Sequence, residues 1–174
     1  ACNSDKLSTR GFGTEKVEDE VKELFPEAII ARLDLDSTRS KKSYELIIGN
    51  FESRETDILI GTQMVSKGLD FGHVKIVGIL NADNMLNYPD FRSHERSFQL
   101  MAQVSGRAGR KSGEGEVIIQ TSDVTNRIIR QVVENNYKQM FDDQLSERLQ
   151  FHYPPTWRLA MLQSTWHMSF IPPV

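Results

Sequence analysis

The stretch Gln103–Arg110, with the sequence QVSGRAGR, contains residue types that bind phosphate groups. Its two arginines stand three positions apart, each directly after a glycine, and a glutamine precedes them. A guanidinium presents a planar fork of N–H donors that matches two phosphate oxygens, and glycine allows the backbone to approach a ligand closely. The stretch is therefore predicted to hold the terminal phosphate of a nucleotide. The alternative is that Arg107 and Arg110 form ordinary surface ion pairs.

Length and composition limit the kinds of protein that could carry this stretch. The 174 residues predict one domain with appendages, and an apolar content of 39% is enough for one core. A net charge of −3 excludes an overall basic field, yet residues 92–111 hold five cations and one acid. The sequence contains no visible membrane span or signal peptide. The single cysteine, Cys2, excludes an internal disulfide and is typical of a reducing compartment.

Apolar runs that alternate with helical patterns indicate how these residues are positioned. The alternation predicts an α/β fold, in which a parallel sheet is wrapped by helices and ligands bind at the carboxyl ends of the strands. Three candidate segments follow strands, residues 62–70, 83–92 and 106–110, which predicts a site at one rim. The predicted strands are residues 28–33, 57–62, 74–80 and 116–121, of which 74–80 is expected to be buried. The first predicted helix has Thr14 as its N-cap and ends at Pro26. Further helices are predicted to include residues 44–51 and to cover residues 91–105 and 125–149. Residues 84–90 are predicted to form a loop.

Two segments resemble motifs of the second RecA-like domain of superfamily 2 helicases. Gln103–Arg110 is similar to motif VI, Q-x-x-G-R-x-G-R, and residues 58–71 (ILIGTQMVSKGLDF) are similar to motif V. A narrower resemblance, to the primosomal protein N′ family of replication-restart DNA helicases, covers residues 2–159. The segments that carry it are GTEKVE at 13–18, RLDLD at 32–36, PDFR at 89–92, Glu95-Arg96 and YPP at 153–155.

This resemblance implies an ATP-dependent, Mg²⁺-assisted 3′-to-5′ DNA helicase that restarts stalled replication forks. The implied partners are forked and single-stranded DNA, primosomal proteins and single-stranded-DNA-binding protein, in the bacterial cytoplasm at the nucleoid. The implied domains are a remnant of a zinc-binding insertion (1–12), a RecA-like helicase domain (13–123), and a helical extension with the start of a C-terminal region (124–174). Cys2 resembles the last zinc ligand of that insertion. Because one thiolate cannot make a four-ligand site, zinc is expected only in a full-length protein.

The resemblance also implies roles for individual residues. Arg110 is the expected arginine finger on the γ-phosphate. Arg107 is expected to assist it on the same phosphate or by bracing the interface, and Gln103 to orient the arginines or sense the nucleotide. Gly68 and Asp70 are expected to approach the nucleotide, Asp70 by accepting a hydrogen bond from the ribose or by pairing with an arginine. Thr62 and Thr14 are expected to bind DNA phosphates, and Arg92 and Arg96 to meet DNA or the opposing motor domain. The alternatives are a turn aspartate, capping threonines, and local ion pairs of Arg92 and Arg96 with Glu95 and Asp90.

Two signatures of a complete nucleotide site are missing from the sequence. It contains no G-x-x-x-x-G-K-[ST] phosphate loop and no acidic magnesium-binding motif at a strand end. The chain is therefore predicted to supply the arginine half of a composite site and to be inactive alone. The alternative functions are a non-catalytic module that docks nucleic acid or protein through residues 92–111, and a superfamily 2 translocase that acts on another substrate.

Overall fold

The computed structural model describes residues 13–34, 37–38, 40–62, 71–109 and 115–159. Within these ranges, helices and strands mix along the chain as the α/β prediction requires. The described part of the chain divides into two compact units, a first unit of residues up to Gly78 with Gln103–Ile118 and a second unit of Ile79–Ala102 with the residues from Ile119 onward. The elements are α1 (Thr14–Leu24), β1 (Ile30–Leu33), α2 (Lys41–Glu52), β2 (Ile58–Gly61), β3 (Ile76–Ile79), α3 (Ala82–Leu86), α4 (Ser93–Ser105), β4 (Glu116–Ile119), α5 (Arg127–Val133) and α6 (Tyr137–Gln150).

The core of the first unit forms between β1, α2 and the segment that leads to β3. Leu33 is fully buried, and Phe71 contacts the ring of Phe51 edge-on with the ring centroids 4.7 Å apart. The helix α2 begins at the cap residue Ser40, whose side chain accepts a hydrogen bond from the backbone N–H of Ser43. The buried cluster comprises Leu33, Ile48, Phe51 and Phe71, with Tyr44, Ile47, Leu59 and Val74 packed against it.

The strands β1 and β2 pair in parallel. Ile30 lies opposite Ile58, and Leu33 lies opposite Gly61. Since both strands end together, the residues that follow them lie side by side at the carboxyl edge of this pair. Asp34 is one of those residues and Thr62 is the other.

The helix α1 begins one residue earlier than predicted. Gly13, not Thr14, is the N-cap residue, and it makes no side-chain capping bond. Thr14 is the first helical residue because its hydroxyl donates a hydrogen bond to Asp34 and does not turn back to the helix. The apolar stripe of α1 is not buried in the described structure, and Leu24 at its end is 72% exposed.

The strands β3 and β4 form a second pair. The N–H of Glu116 donates to the carbonyl of Lys75 at 2.8 Å, and the N–H of Gln120 donates to the carbonyl of Ile79 at 2.9 Å. Because the partners advance together along both strands, the pair is parallel. The expected burial of the 74–80 strand is wrong, since side chains alternate between exposed and half-buried, with Ile76 62% exposed. In the described residues the parallel strands thus form two two-stranded sheets, whereas one wrapped sheet was predicted.

The second unit has its own core, in which Met101 of α4 is fully buried. The segment predicted as a loop at 84–90 begins inside the helix α3, which extends to Leu86 and follows Asn81 in the left-handed conformation with φ 51°. The buried cluster comprises Ala82, Leu86, Phe98, Met101, Ile128, Ile129, Val132 and Met140.

The single helical region predicted at 125–149 is two helices, α5 and α6. Asn135 has φ 51°, and the N–H of Asn136 donates to the carbonyl of Gln131 at 2.8 Å. This is the hydrogen bond of a Schellman C-cap, with asparagine in the left-handed position that glycine usually takes. Asn136 then caps α6 by accepting a hydrogen bond from the N–H of Gln139.

Candidate functional site

The predicted phosphate-binding stretch is the end of α4 and the turn that follows it. Gln103 is exposed in the last turn of the helix, and Arg107 is half-buried four positions later. The N–H of Arg107 donates to the carbonyl of Val104 at 3.0 Å, which continues the turn beyond the helix. Gly109 is buried with φ 66°, a left-handed conformation that side chains rarely adopt. Glycine at this position is therefore needed for the shape of the turn.

The backbone of Val74 joins this turn to the end of the other predicted nucleotide-binding segment, residues 58–71. The N–H of Gly109 donates to the carbonyl of Val74 at 2.9 Å, and the N–H of Val74 donates to the carbonyl of Phe71 at 3.4 Å. Phe71 directly follows Asp70 in the sequence and is 3% exposed in the core of the first unit. The described residues next to the two predicted nucleotide-binding segments are thus held together through Val74.

The two predicted DNA-binding threonines lie at the carboxyl edge of the β1–β2 pair. Thr62 is exposed directly after β2. Asp34 directly follows β1, and its Oδ2 accepts a hydrogen bond from Thr14 Oγ1 at 2.5 Å. Because adjacent strands are about 4.8 Å apart, this hydrogen bond brings Thr14 to the same edge as Thr62. The Thr14 hydroxyl proton is engaged with Asp34, so the remaining phosphate donors at this helix end are backbone N–H groups.

Asp34 is the most strongly perturbed carboxylate of this edge. Its side chain accepts hydrogen bonds from the Thr14 hydroxyl and from the Ser37 N–H at 2.8 Å, and Arg32 Nε lies 3.0 Å from Oδ2. The Thr14 and Ser37 hydrogen bonds, with the Arg32 charge, lower the pKa of Asp34 from 3.8 to about 2. Arg32 also lies 3.1 Å from Glu15 in the first turn of α1. A network of charges and hydrogen bonds therefore fixes the start of α1 to the end of β1.

Arg92 and Arg96 belong to the second unit and form local ion pairs. Arg96 Nη1 lies 2.7 Å from Asp90 Oδ2, and Arg92 Nε lies 3.7 Å from Glu95 Oε2. The alternative reading of these arginines, pairing with Asp90 and Glu95, is what the structure contains. Both side chains remain about half exposed, 56% for Arg96 and 47% for Arg92.

Sequence reasoning missed the role of Arg148 in the second unit. Its guanidinium contacts Glu95 Oε2 and donates to the carbonyl of Pro154 at 3.3 Å. It also lies 5.4 Å from the ring centroid of Phe91, which stacks on Tyr153 at 4.9 Å. The PDFR, Glu95-Arg96 and YPP segments, which carry the family resemblance, are thus neighbours in space, and Arg148 connects them. Their shared resemblance to one family was the available signal, but it did not identify Arg148.

Four predicted site residues, Arg110, Gly68, Asp70 and Cys2, lie outside the described residues. Within the described ranges, no group of three His, Cys, Asp or Glu side chains is arranged to hold a metal ion. No helix in those ranges is long and apolar enough to cross a bilayer.

Comparison with known proteins establishes the family. Residues 12–112 match the helicase conserved C-terminal domain. The chain is 42% identical over 161 residues to the replication restart protein PriA of Bacillus subtilis, an alignment that covers 92% of this chain and 20% of that protein. It is 41% identical over 162 residues to PriA of Synechocystis, covering 93% of this chain and 20% of that protein. It is 38% identical over 163 residues to PriA of Haemophilus influenzae, covering 94% of this chain and 22% of that protein.

The chain spans about a fifth of the length of the curated relatives that it matches. The region matched by the family, 12–112, includes both nucleotide-binding candidates, residues 58–71 and Gln103–Arg110. The resemblance to replication-restart helicases predicted from the sequence is confirmed by these relatives. The chain belongs to the helicase conserved C-terminal domain family.

Proposed function

We propose that this chain is the second RecA-like motor domain of an ATP-dependent 3′-to-5′ DNA helicase that restarts stalled replication forks. The observation that carries the proposal is the turn after α4, which lies within the family match. This turn contains Arg107 and ends at Gly109, which has φ 66° and is hydrogen-bonded to Val74. The full-length protein would act on forked and single-stranded DNA in the bacterial cytoplasm, with primosomal proteins and single-stranded-DNA-binding protein as partners.

The donor set of the turn fits a phosphate group. Gln103 and Arg107 lie four positions apart and offer an amide and a guanidinium, and Gly109 keeps the backbone of the turn free of a side chain. Arg110 would place its guanidinium on the γ-phosphate of ATP bound to the first motor domain, and Arg107 would assist it. Bound ATP with Mg²⁺ supplies the phosphoryl group that is transferred to water. The chain's own contribution is fixed positive charge around the oxygens that become more negative.

The other candidates complete the proposed site. Gly68 and Asp70 would approach the nucleotide. Thr62 would donate its hydroxyl to a DNA phosphate, and Thr14 would present the N–H groups of its helix end. These two residues support one DNA contact because Asp34 connects Thr14 to the strand edge that Thr62 follows.

Arg92 and Arg96 would reach DNA with the exposed part of their guanidinium groups. Both side chains are already ion-paired, to Glu95 and Asp90, so their pairing would have to be shared with a DNA phosphate. Cys2 would complete a zinc site only beside further cysteines of a full-length protein.

The central test is the substitution Arg110→Ala in the full-length helicase that the proposal implies. An arginine finger typically contributes about 10³-fold or more to kcat, so DNA-stimulated ATP hydrolysis is expected to fall by about that factor. Binding of single-stranded DNA, measured by fluorescence anisotropy, is expected to be unchanged. Arg130→Ala is the matched control, since Arg130 is an exposed arginine of α5 outside the proposed site.

The isolated chain provides the complementary measurement. Purified residues 1–174 are expected to show no DNA-stimulated ATPase activity, because the phosphate loop and the magnesium-binding acid are not in this sequence. Robust turnover by the isolated chain would refute the composite site. Normal turnover by the Arg110→Ala helicase, with impaired DNA binding, would favour the docking module.

A further inference from the structure

Gly109 and Glu116 are hydrogen-bonded to the carbonyl groups of two consecutive residues that precede β3. The N–H of Gly109 donates to the carbonyl of Val74 at 2.9 Å. The N–H of Glu116 donates to the carbonyl of Lys75 at 2.8 Å. Gly109, at the end of the turn that carries Arg107, and Glu116, at the start of β4, are therefore held by consecutive residues of the backbone.

The backbone of Gly115 packs directly against the end of that turn. A Cβ atom added to Gly115 would lie 2.3 Å from the carbonyl carbon of Ala108, 2.3 Å from the nitrogen of Gly109 and 2.7 Å from the Ala108 oxygen. Cβ atoms in proteins essentially never come closer than 3.0 Å to such atoms, and the atoms met here are backbone atoms that no rotamer change can move. Any side chain at position 115 must displace the Ala108–Gly109 peptide.

That peptide lies one residue beyond Arg107. A shift of roughly 1 Å would be needed to relieve the contact, and a misplacement of about 1 Å in a catalytic group typically costs on the order of 10²-fold in rate. The turn has little freedom to absorb the shift by itself, because Gly109 is held both by its hydrogen bond to Val74 and by its φ of 66°.

We propose that Gly115 is a positioning residue for ATP turnover, which holds the Arg107 turn in place by backbone contact. The inference rests on the proposed function, since it assigns to Gly115 the task of fixing an arginine that acts on phosphate. Gly115 touches neither nucleotide nor DNA in this proposal. It acts through the Ala108–Gly109 peptide.

The test compares two glycines in the full-length helicase. Gly115→Ala is expected to lower the kcat of DNA-stimulated ATP hydrolysis about 10²-fold, with little change in the KM for ATP. Gly78→Ala is the matched control, because a Cβ atom added to Gly78 of β3 meets nothing within 4 Å. This control is expected to keep the activity of the unsubstituted protein.

A double substitution separates positioning from a general structural effect. If Gly115 acts through Arg107, then Arg107→Ala with Gly115→Ala is expected to be no slower than Arg107→Ala alone. Independent losses that multiply in the double variant would overturn the inference, as would a Gly115→Ala protein with normal kcat. Normal turnover by the Arg110→Ala protein would instead reject the proposed function, so the two failures are distinguishable.

A second variant covers the case in which Gly115→Ala does not fold. Ala108→Gly adds no atom, and it loosens the same peptide by the freedom that a glycine introduces. The kcat is expected to fall about two- to fivefold, the rate equivalent of that added freedom. An Ala108→Gly protein with unchanged kcat would overturn the inference.

Discussion

Replacing Asp34 by asparagine tests whether the network at the start of α1 stabilises the first unit. Asp34 is 8% exposed, and its carboxylate accepts hydrogen bonds from the Thr14 hydroxyl at 2.5 Å and the Ser37 N–H at 2.8 Å. Arg32 Nε lies 3.0 Å away. Asparagine keeps the shape and one acceptor oxygen, but it removes the negative charge that all three donors address.

The expected cost follows from the pKa. Lowering the pKa of Asp34 from 3.8 to about 2 corresponds to about 2 kcal/mol of preference for the charged form in the folded state. Because the folded-state pKa is depressed, this stabilisation is fully present above pH 4 and is lost as the pH falls toward 2. Asp34→Asn is therefore expected to lower the free energy of unfolding by about 2 kcal/mol at pH 7, and by much less near pH 2.

Urea denaturation followed by circular dichroism measures this difference at both pH values. Asp19→Asn is the control, since Asp19 is an exposed acid on the same helix, and it should change the free energy of unfolding little at either pH. A destabilisation by Asp34→Asn that is equally large at pH 7 and pH 2 would refute the reasoning, because it would then not arise from the charge of the carboxylate.

Two further predictions concern the second unit. Arg148→Met leaves the largely buried Glu95 carboxylate without its main cation. The free energy of unfolding, measured by urea denaturation, is expected to fall by about 1–2 kcal/mol, less than for a fully buried pair. Recovery of stability in the Glu95→Gln, Arg148→Met double variant would show that the unpaired carboxylate causes the loss. Met101→Ala removes a fully buried side chain and is expected to cost about 2–5 kcal/mol, whereas the same change at exposed Gln99 should cost little; a loss below 1 kcal/mol (about one CH₂ group) would mean that the α4 core is loosely packed.

Features fixed by nearby residues could be predicted from the sequence. The helix α2 shows this well, because its apolar residues recur at helical spacing and its cap, Ser40, bonds a residue only three positions away. The parallel pairing of the strands also followed from local patterns, since strands and helices alternate. The break between α5 and α6 was missed because asparagine, and not glycine or proline, adopts the left-handed conformation at position 135.

Contacts between distant residues could not be predicted in this way. Thr14 bonds Asp34 across 20 positions, and Arg148 contacts Glu95 across 53 positions. The motif pattern identified the turn with Arg107, because glycine and arginine spacing is visible in the sequence. It did not identify Gly115, because the constraint on that residue is the nearness of a peptide six positions earlier.

Val74 and Lys75 hold Gly109 and Glu116 by hydrogen bonds to their carbonyl oxygens, which every amino acid provides. Lys75 is exposed, and its hydrogen bond with Glu116 does not depend on its side chain. Position 75 should therefore accept many residues during evolution without disturbing the turn, whereas Gly109 and Gly115 should accept almost none. The mutational tolerance of this region is thus set by which partner contributes backbone oxygen and which must lack a Cβ atom, and not by how close each residue lies to the arginines.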